Sequence, residues 1–184
     1  MKKYLQRILL GLIAFTIGSV AFFSYAGKPW TVMCPGIQVN DLDTLDKKFH
    51  AKISTIIATL ESEGFDFNVS STYRSPKKQQ CYYDISKVIK KYTGQNGLTT
   101  TTKSCHNNTV DGTPSSLAID LHYFTGSMDD KIKFYKRLRT LARNAGLTSG
   151  GDFSKSNPVW AKYDLGWDPG HVQVKGCSKM VRLR

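Results

Sequence analysis

A chain of 184 residues that is 40% hydrophobic, 11% aromatic and 22% charged has room for one domain of ordinary size with a real core. That composition excludes disordered and collagen-like readings. The formal net charge of +12 suits an anionic partner, such as cell wall, outer-membrane lipid or nucleic acid, or simply a solvated basic face.

The first 26 residues stand apart from that domain. Lys2, Lys3 and Arg7 form a basic start, and Ile8 to Phe23 is an apolar run broken only by Gly, Thr and Ser. Ser24-Tyr25-Ala26 then puts small residues at −3 and −1 of a cut before Gly27, the layout of a secretory signal peptide. The rival is an uncleaved membrane anchor, since the 19 residues from Ile8 to Ala26 can span a bilayer. Both readings export residues 27–184, to the periplasm or the outside, with membrane contact only through the leader. Removing the three leader charges takes the formal charge from +12 to about +9.

Beyond Pro29 and Pro35, Asn40 or Asp41 is suited to cap a helix. Leu42, Leu45, Phe49, Ile53, Ile56 and Leu60 recur at helical spacing, with Gly64 as the stop. His50, inside that helix, reads as a surface residue. Phe67, Val69 and Ser71 alternate with polar residues, a half-buried strand ending at Thr72-Tyr73-Arg74-Ser75-Pro76. Pro76 suits the first turn of a helix from Lys77 to about Tyr92, with Gly94 beyond its end.

Gly94 to Lys103 is polar, contains four consecutive threonines, and reads as a loop feeding a short strand. Ser104-Cys105-His106 follows, then a turn-rich segment through Gly112 and Pro114, then the apolar strand Leu117 to Leu121. Asp129 is suited to cap a third helix with Ile132, Tyr135, Leu138, Leu141 and Ala145 on one face and Gly146 as its stop. Gly150-Gly151-Asp152-Phe153, a loop with Trp160 and Trp167, and a strand from His171 to Val174 complete the chain. There is no internal repeat and no βαβ rhythm. The expected class is α+β, a small antiparallel sheet flanked by about three helices.

Four cysteines in an exported domain favour two disulfides over a thiol function. The expected pairs are Cys81–Cys105, closing the polar loop between them, and Cys34–Cys177, tying the two ends. With no C-x-x-C pair, a four-cysteine zinc site is not expected.

Two histidines sit beside acids in loop-to-strand contexts. His106 precedes the strand that carries Asp120, and His171 opens a strand three residues after Asp168. Two His and one carboxylate meet the need of a catalytic zinc for three protein ligands and an open position. A carboxylate inside an apolar strand needs a cationic or metal partner; for Asp120 the plain alternative is a salt bridge or a strand-end cap. His106 and Asp120 are 14 positions apart and no H-E-x-x-H helix exists, so spacing alone does not define the site.

Five segments in order add to this. Ser71-Thr72-Tyr73-Arg74-Ser75-Pro76 with Gln79, Ser104-Cys105-His106, Ala118-Ile119-Asp120, Gly150-Gly151-Asp152-Phe153 and Asp168-Pro169-Gly170-His171 resemble the motifs of the LAS-type zinc peptidases. That family comprises D-Ala-D-Ala carboxypeptidases and dipeptidases and the L-alanyl-D-glutamate endolysins. The resemblance spans roughly residues 40 to 176, and the Gly-Gly-Asp-Phe segment leans to the endolysin branch. It implies His106, Asp120 and His171 as zinc ligands, Asp168 as general base and Arg74 as the charge that stabilises the oxyanion. Ser104 and Gln79 are implied as substrate-contacting residues.

The family's aspartate usually follows its first histidine by seven residues, so Asn108 to Pro114 reads as a looped-out insertion rich in turn formers. Asp111 within it is a competing ligand; Asp120 is preferred because a strand holds a ligand more rigidly. His122 shares a strand face with Asp120 and reads as a packed or edge residue. Cys105 is a soft ligand by type and a disulfide partner by compartment.

The expected function is zinc-dependent hydrolysis of an amide in peptidoglycan stem peptides, at L-Ala–D-Glu or D-Ala–D-Ala, by a monomer that binds no nucleic acid. The alternatives are a zinc-stabilised wall-binding module without turnover and a secreted basic nuclease. Asp168 and Arg74 argue against the first, and the absence of a second suitably spaced histidine against the other.

Overall fold

The computed structural model describes residues 34–94, 97–154 and 158–182. The expected leader, residues 1–26, lies outside them. The fold that follows is that of the unit Gly36–Arg184. No helix among the described residues is long and apolar enough to cross a membrane.

Helix α1 spans Lys47–Ser62 and buries Phe49, Ile53, Ile56 and Leu60, the stripe read from the sequence. Its cap is Asp46, whose carboxylate accepts from the backbone N–H groups of Lys48 and Phe49. The expected cap, Asn40 or Asp41, is displaced: Asp41 caps only a 3-10 turn, Leu42–Thr44, and extended backbone at Leu45 separates the two. Strand β1 covers Phe67–Ser71. Helix α2, Pro76–Thr93, starts on Ser75 with Pro76 in its first turn and stops at Gly94, whose φ of 72° suits a residue without Cβ.

The polar stretch beyond α2 leads into a 3-10 turn, Cys105–Asn107, rather than the expected strand. The insertion read from the spacing is a hairpin of β2, Thr109–Val110, and β3, Thr113–Pro114. Its Asp111-Gly112 tip has φ of 50° and 76°, the positive pair that a two-residue hairpin turn requires. Strand β4, Ala118–Tyr123, follows. Helix α3, Met128–Asn144, is capped by Ser127 in a capping box with Asp130, not by Asp129. The remaining elements are β5, Leu147–Ser149, the short α4, Pro158–Ala161, β6, His171–Val174, and α5, Cys177–Arg182.

Strands β1, β4, β6 and β5 form, in that order, an antiparallel sheet. Ile119, Leu121 and Val172 meet α1 and α3 in a core with Phe49, Ile53, Leu60, Phe134 and Leu138. Each such side chain contributes about 1.5–3 kcal/mol by burial. Because successive residues of a strand face opposite ways, Asp120 on β4 and both His171 and Gln173 on β6 point away from those helices. Asp120 lies directly opposite His171 in the ladder. The core pattern therefore decides which face carries the chemistry.

Cys105 is bonded to Cys177, with Cα atoms 5.8 Å apart. This overturns both expected pairs, Cys81–Cys105 and Cys34–Cys177. The chain leaving α2 carries Cys105 into a small buried cluster with Leu117 and Ala118, where the first turn of α5 delivers Cys177. Cys34 and Cys81 are disulfide-bonded as well, and none of the four cysteines is free.

Candidate metal centre

His106, Asp120 and His171 come together so that one donor atom from each lies within 4.8 Å of the other two, a group that can hold a metal ion. Three different devices deliver them. His106 rides on a 3-10 turn capped by Ser104, whose hydroxyl accepts from the His106 backbone N–H. Asp120 stands on the central strand β4, and His171 opens β6 after a turn in which its N–H donates to the Asp168 carbonyl at 3.0 Å. His106 and His171 are 2% and 8% exposed, which leaves little freedom to either ring.

Each ring has one nitrogen turned outward and held. His106 Nδ1 donates to the Thr72 carbonyl at 2.6 Å, leaving Nε2 facing Asp120 Oδ1 at 3.3 Å. His171 Nε2 lies 2.9 Å from Gln173 Oε1, so Nδ1 is the atom beside Asp120 Oδ1, at 2.8 Å. Outward partners of this kind fix the orientation of metal-binding histidines. Arg74 approaches the other carboxylate oxygen, Asp120 Oδ2, at 3.5 Å. The two oxygens thus have separate tasks: Oδ1 faces the rings and Oδ2 the guanidinium.

The charges follow from that geometry. Burial favours the neutral ring of His106 and pushes its pKa below the ordinary 6.5, against the pull of Asp120. Burial also works against charging His171, but its hydrogen bond to Asp120, the Asp120 and Asp168 charges and the contact with Gln173 outweigh it and raise the pKa to about 9. For Asp120 burial acts upward, and His106 and His171 together hold the pKa well below the usual carboxylate range.

Asp168 is exposed at the rim, close enough that its charge acts on both His171 and Tyr135. The Gly150–Asp152 turn fits against the segment that bears it. A Cβ on Gly150 would lie 2.0 Å from the Asp168 carbonyl oxygen, and one on Gly166 2.5 Å from the Gly150 oxygen. Asp152 is turned away from the centre and pairs with Arg143, while the Phe153 ring lies 5.7 Å from that of His171.

Other sequence candidates fall into place around this group. Gln79 is fully buried, and its amide is engaged by Arg74, Thr99 and Thr101. Both amide hydrogens of this residue, expected to contact substrate, are thus engaged within the chain. Asp111 sits at the hairpin tip and is not in the metal-capable group. His122 pairs with Asn68 across the ladder, and its ring lies 5.3 Å from that of Phe124. Sequence reading missed Gln173 and the Thr72 carbonyl. The i, i+2 spacing of His171 and Gln173 on one strand was the available signal for the first; a backbone carbonyl leaves none.

No protein-family model and no curated protein matches the chain. Among solved structures it is similar to VanYB in complex with D-alanine-D-alanine, at 16% identity over 82% of this chain and 85% of that one, with a TM-score of 0.48. It is similar also to the Serratia marcescens L-Ala D-Glu endopeptidase ChiX, at 15% identity over 78% of this chain and 92% of that one, TM-score 0.46. A third is the LdcB LD-carboxypeptidase, at 16% identity over 75% of this chain, TM-score 0.44; the chain covers 63% of the LdcB chain, less than two thirds.

Proposed function

We propose that this chain is an exported zinc peptidase that hydrolyses an amide bond in peptidoglycan stem peptides. One observation carries the metal. His106 Nδ1 is committed to the Thr72 carbonyl and burial disfavours the imidazolium, so Nε2 turns a lone pair toward Asp120 Oδ1 only 3.3 Å away. Asp120 Oδ1 thus lies between an imidazole nitrogen of each histidine, at 3.3 and 2.8 Å, so that one cation could take a donor atom from all three residues. Two imidazole nitrogens and one carboxylate oxygen form a donor set that suits zinc and leaves a position open. When bound, zinc supplies Lewis acidity and a water acid enough to ionise near neutral pH.

The remaining roles belong to the chain. Asp168, exposed at the rim beside His171, takes the proton of the attacking water and returns it to the leaving amine. Arg74, 12% exposed and held against Asp120, offers a fixed positive charge to the oxygen of the scissile carbonyl as it becomes negative. Phe153 forms an apolar wall next to His171. The strongly basic composition suits an anionic wall polymer.

The test is mass spectrometry of purified peptidoglycan after incubation with the zinc-loaded protein, with and without a chelator. New fragments that vanish on chelation are expected, and their masses identify the bond. No fragments would refute the peptidase reading. Chelator-resistant fragments would refute the metal, and degraded DNA without wall fragments would favour a nuclease.

A further inference from the structure

We propose that Gln79 is a positioning residue whose single amide performs two tasks: it holds Arg74 in place and fastens the 97–103 segment to α2. The inference deepens the peptidase reading, on which the catalytic value of Arg74 depends. Gln79 sits in the first turn of α2 and is 0% exposed. Its Oε1 accepts from Arg74 Nη1 at 2.9 Å, while Nε2 donates to Thr99 Oγ1 at 3.0 Å and to the Thr101 carbonyl at 2.8 Å. Both amide hydrogens are used, and the acceptor faces the arginine.

Arg74 depends on that contact. Its Nη2 reaches Asp120 Oδ2 only at 3.5 Å, its Nε is buried without a hydrogen-bond partner among the described residues, and the Tyr82 ring lies 5.0 Å from its guanidinium carbon. The bond to Gln79 is therefore the short, directed one that sets the plane of the fork. Without it, the guanidinium is free to turn about its stem on the face of Tyr82.

The segment depends on the same residue. It touches α2 at a second place, where the Thr99 N–H donates to Ser86 Oγ at 2.9 Å and Gly97 comes so close that a Cβ would lie 2.6 Å from the Ser86 Cα. From Thr101 the chain runs through Lys103 directly into Ser104 and the turn that presents His106. A side chain outside the metal group thus ties the arginine to the approach of one metal-binding histidine.

Two substitutions separate the tasks. Gln79→Glu keeps an acceptor for Arg74 but loses both N–H donors, and Gln79→Leu loses everything. Both variants are expected to bind one zinc as the wild type does, because the three donor residues are untouched. Amide exchange over 98–103 should rise by an order of magnitude or more in both. Turnover of a stem peptide should fall at least tenfold in Gln79→Leu with KM within about twofold, and recover to within about threefold of wild type in Gln79→Glu. The Arg74 guanidinium NMR signals should broaden in the Leu variant and stay sharp in the Glu variant. Unchanged exchange in both, or unchanged arginine signals in the Leu variant, would overturn the proposal. So would a folded Glu variant that fails to restore turnover. A wild-type protein that cuts no peptide would overturn the peptidase reading instead, while the exchange and arginine signals would still decide the role of Gln79.

Discussion

Gly150 and Gly151 are neighbours in one turn, yet the structure assigns them opposite tolerance. A Cβ on Gly150 would lie 2.0 Å from the Asp168 carbonyl oxygen and 2.9 Å from the His171 Cβ. That carbonyl accepts the His171 N–H, so it cannot retreat without opening the turn that connects the proposed base to β6. Relief requires a movement of about 1 Å or more, because non-bonded heavy atoms do not settle much below 3 Å. Overpacking of this kind costs about 1–3 kcal/mol, and the weakened turn hydrogen bond about 1 kcal/mol more. Gly150→Ala should then lower the melting temperature by roughly 5–15 °C. Displacing Asp168 and His171 by that distance should cost on the order of 10² in kcat/KM. At Gly151 the nearest atoms are the Arg139 Cδ and Ser149 Oγ, both 3.2 Å away and both in side chains that can yield. Gly151→Ala should lose no more than about 1 kcal/mol. Thermal melts and peptide turnover of the two variants, side by side, make the test. If Gly150→Ala were as stable and active as Gly151→Ala, the close approach of these segments would not be what keeps the residue small.

Three more predictions concern the centre and its tether. Replacing His106, Asp120 or His171 by Ala should abolish bound zinc and turnover together, whereas Asp168→Asn should keep the metal and lose at least about 10² in turnover; zinc content by elemental analysis beside peptide assays separates the two. The His171 pKa of about 9 lies above the ordinary 6.5, so its protonation stabilises the metal-free protein fully below about 6.5, and that contribution is lost as pH rises through 9. A metal must displace this proton, so zinc affinity measured by calorimetry should climb on the order of tenfold per pH unit toward 9 and flatten above it. Joint replacement of Cys105 and Cys177 by Ala opens a link across 72 residues and should cost about 4 kcal/mol in denaturant unfolding, with weaker zinc binding because His106 adjoins the lost bond.

The residues that were legible in the sequence are those whose role is set by type and local order. The apolar stripe of α1 announces itself without a fold, whereas Asp120 and Asp168 stood out only through the ordered segments that resemble a family, since a carboxylate in an apolar strand reads equally as a salt bridge. The insertion was legible because the gap from His106 to Asp120 exceeds the spacing of the family the motifs resemble and Asn108 to Pro114 is rich in turn formers. The engagement of Gln79 was not legible because sequence context does not disclose burial: its bonds to Thr99 and Thr101 form only once the segment beyond α2 folds back. The disulfides failed for a related reason, since Cys105 meets Cys177 only after β4 and α5 are packed. The cap of α3 fell to Ser127 rather than Asp129 through the reciprocal bonds of Ser127 and Asp130, a competition between adjacent polar residues that composition does not rank.

The β2–β3 hairpin stands between His106 and Asp120, and its mouth is stapled. The Asn108 amide donates to the Ser115 carbonyl at 2.7 Å, and the Ser115 N–H to the Asn108 carbonyl at 3.0 Å. Because the chain leaves and re-enters through that fixed opening, the interval from His106 to Asp120 counted in residues is not a physical constraint; the width of the opening is. Evolution is free to lengthen or shorten the excursion beyond it, and any recognition scheme that counts positions between the two residues will pass over such chains. For the experimenter the same staple is a splice point. A reporter inserted between Asp111 and Gly112 would extend the chain between two of the three donor residues while the staple isolates both of them from the added length.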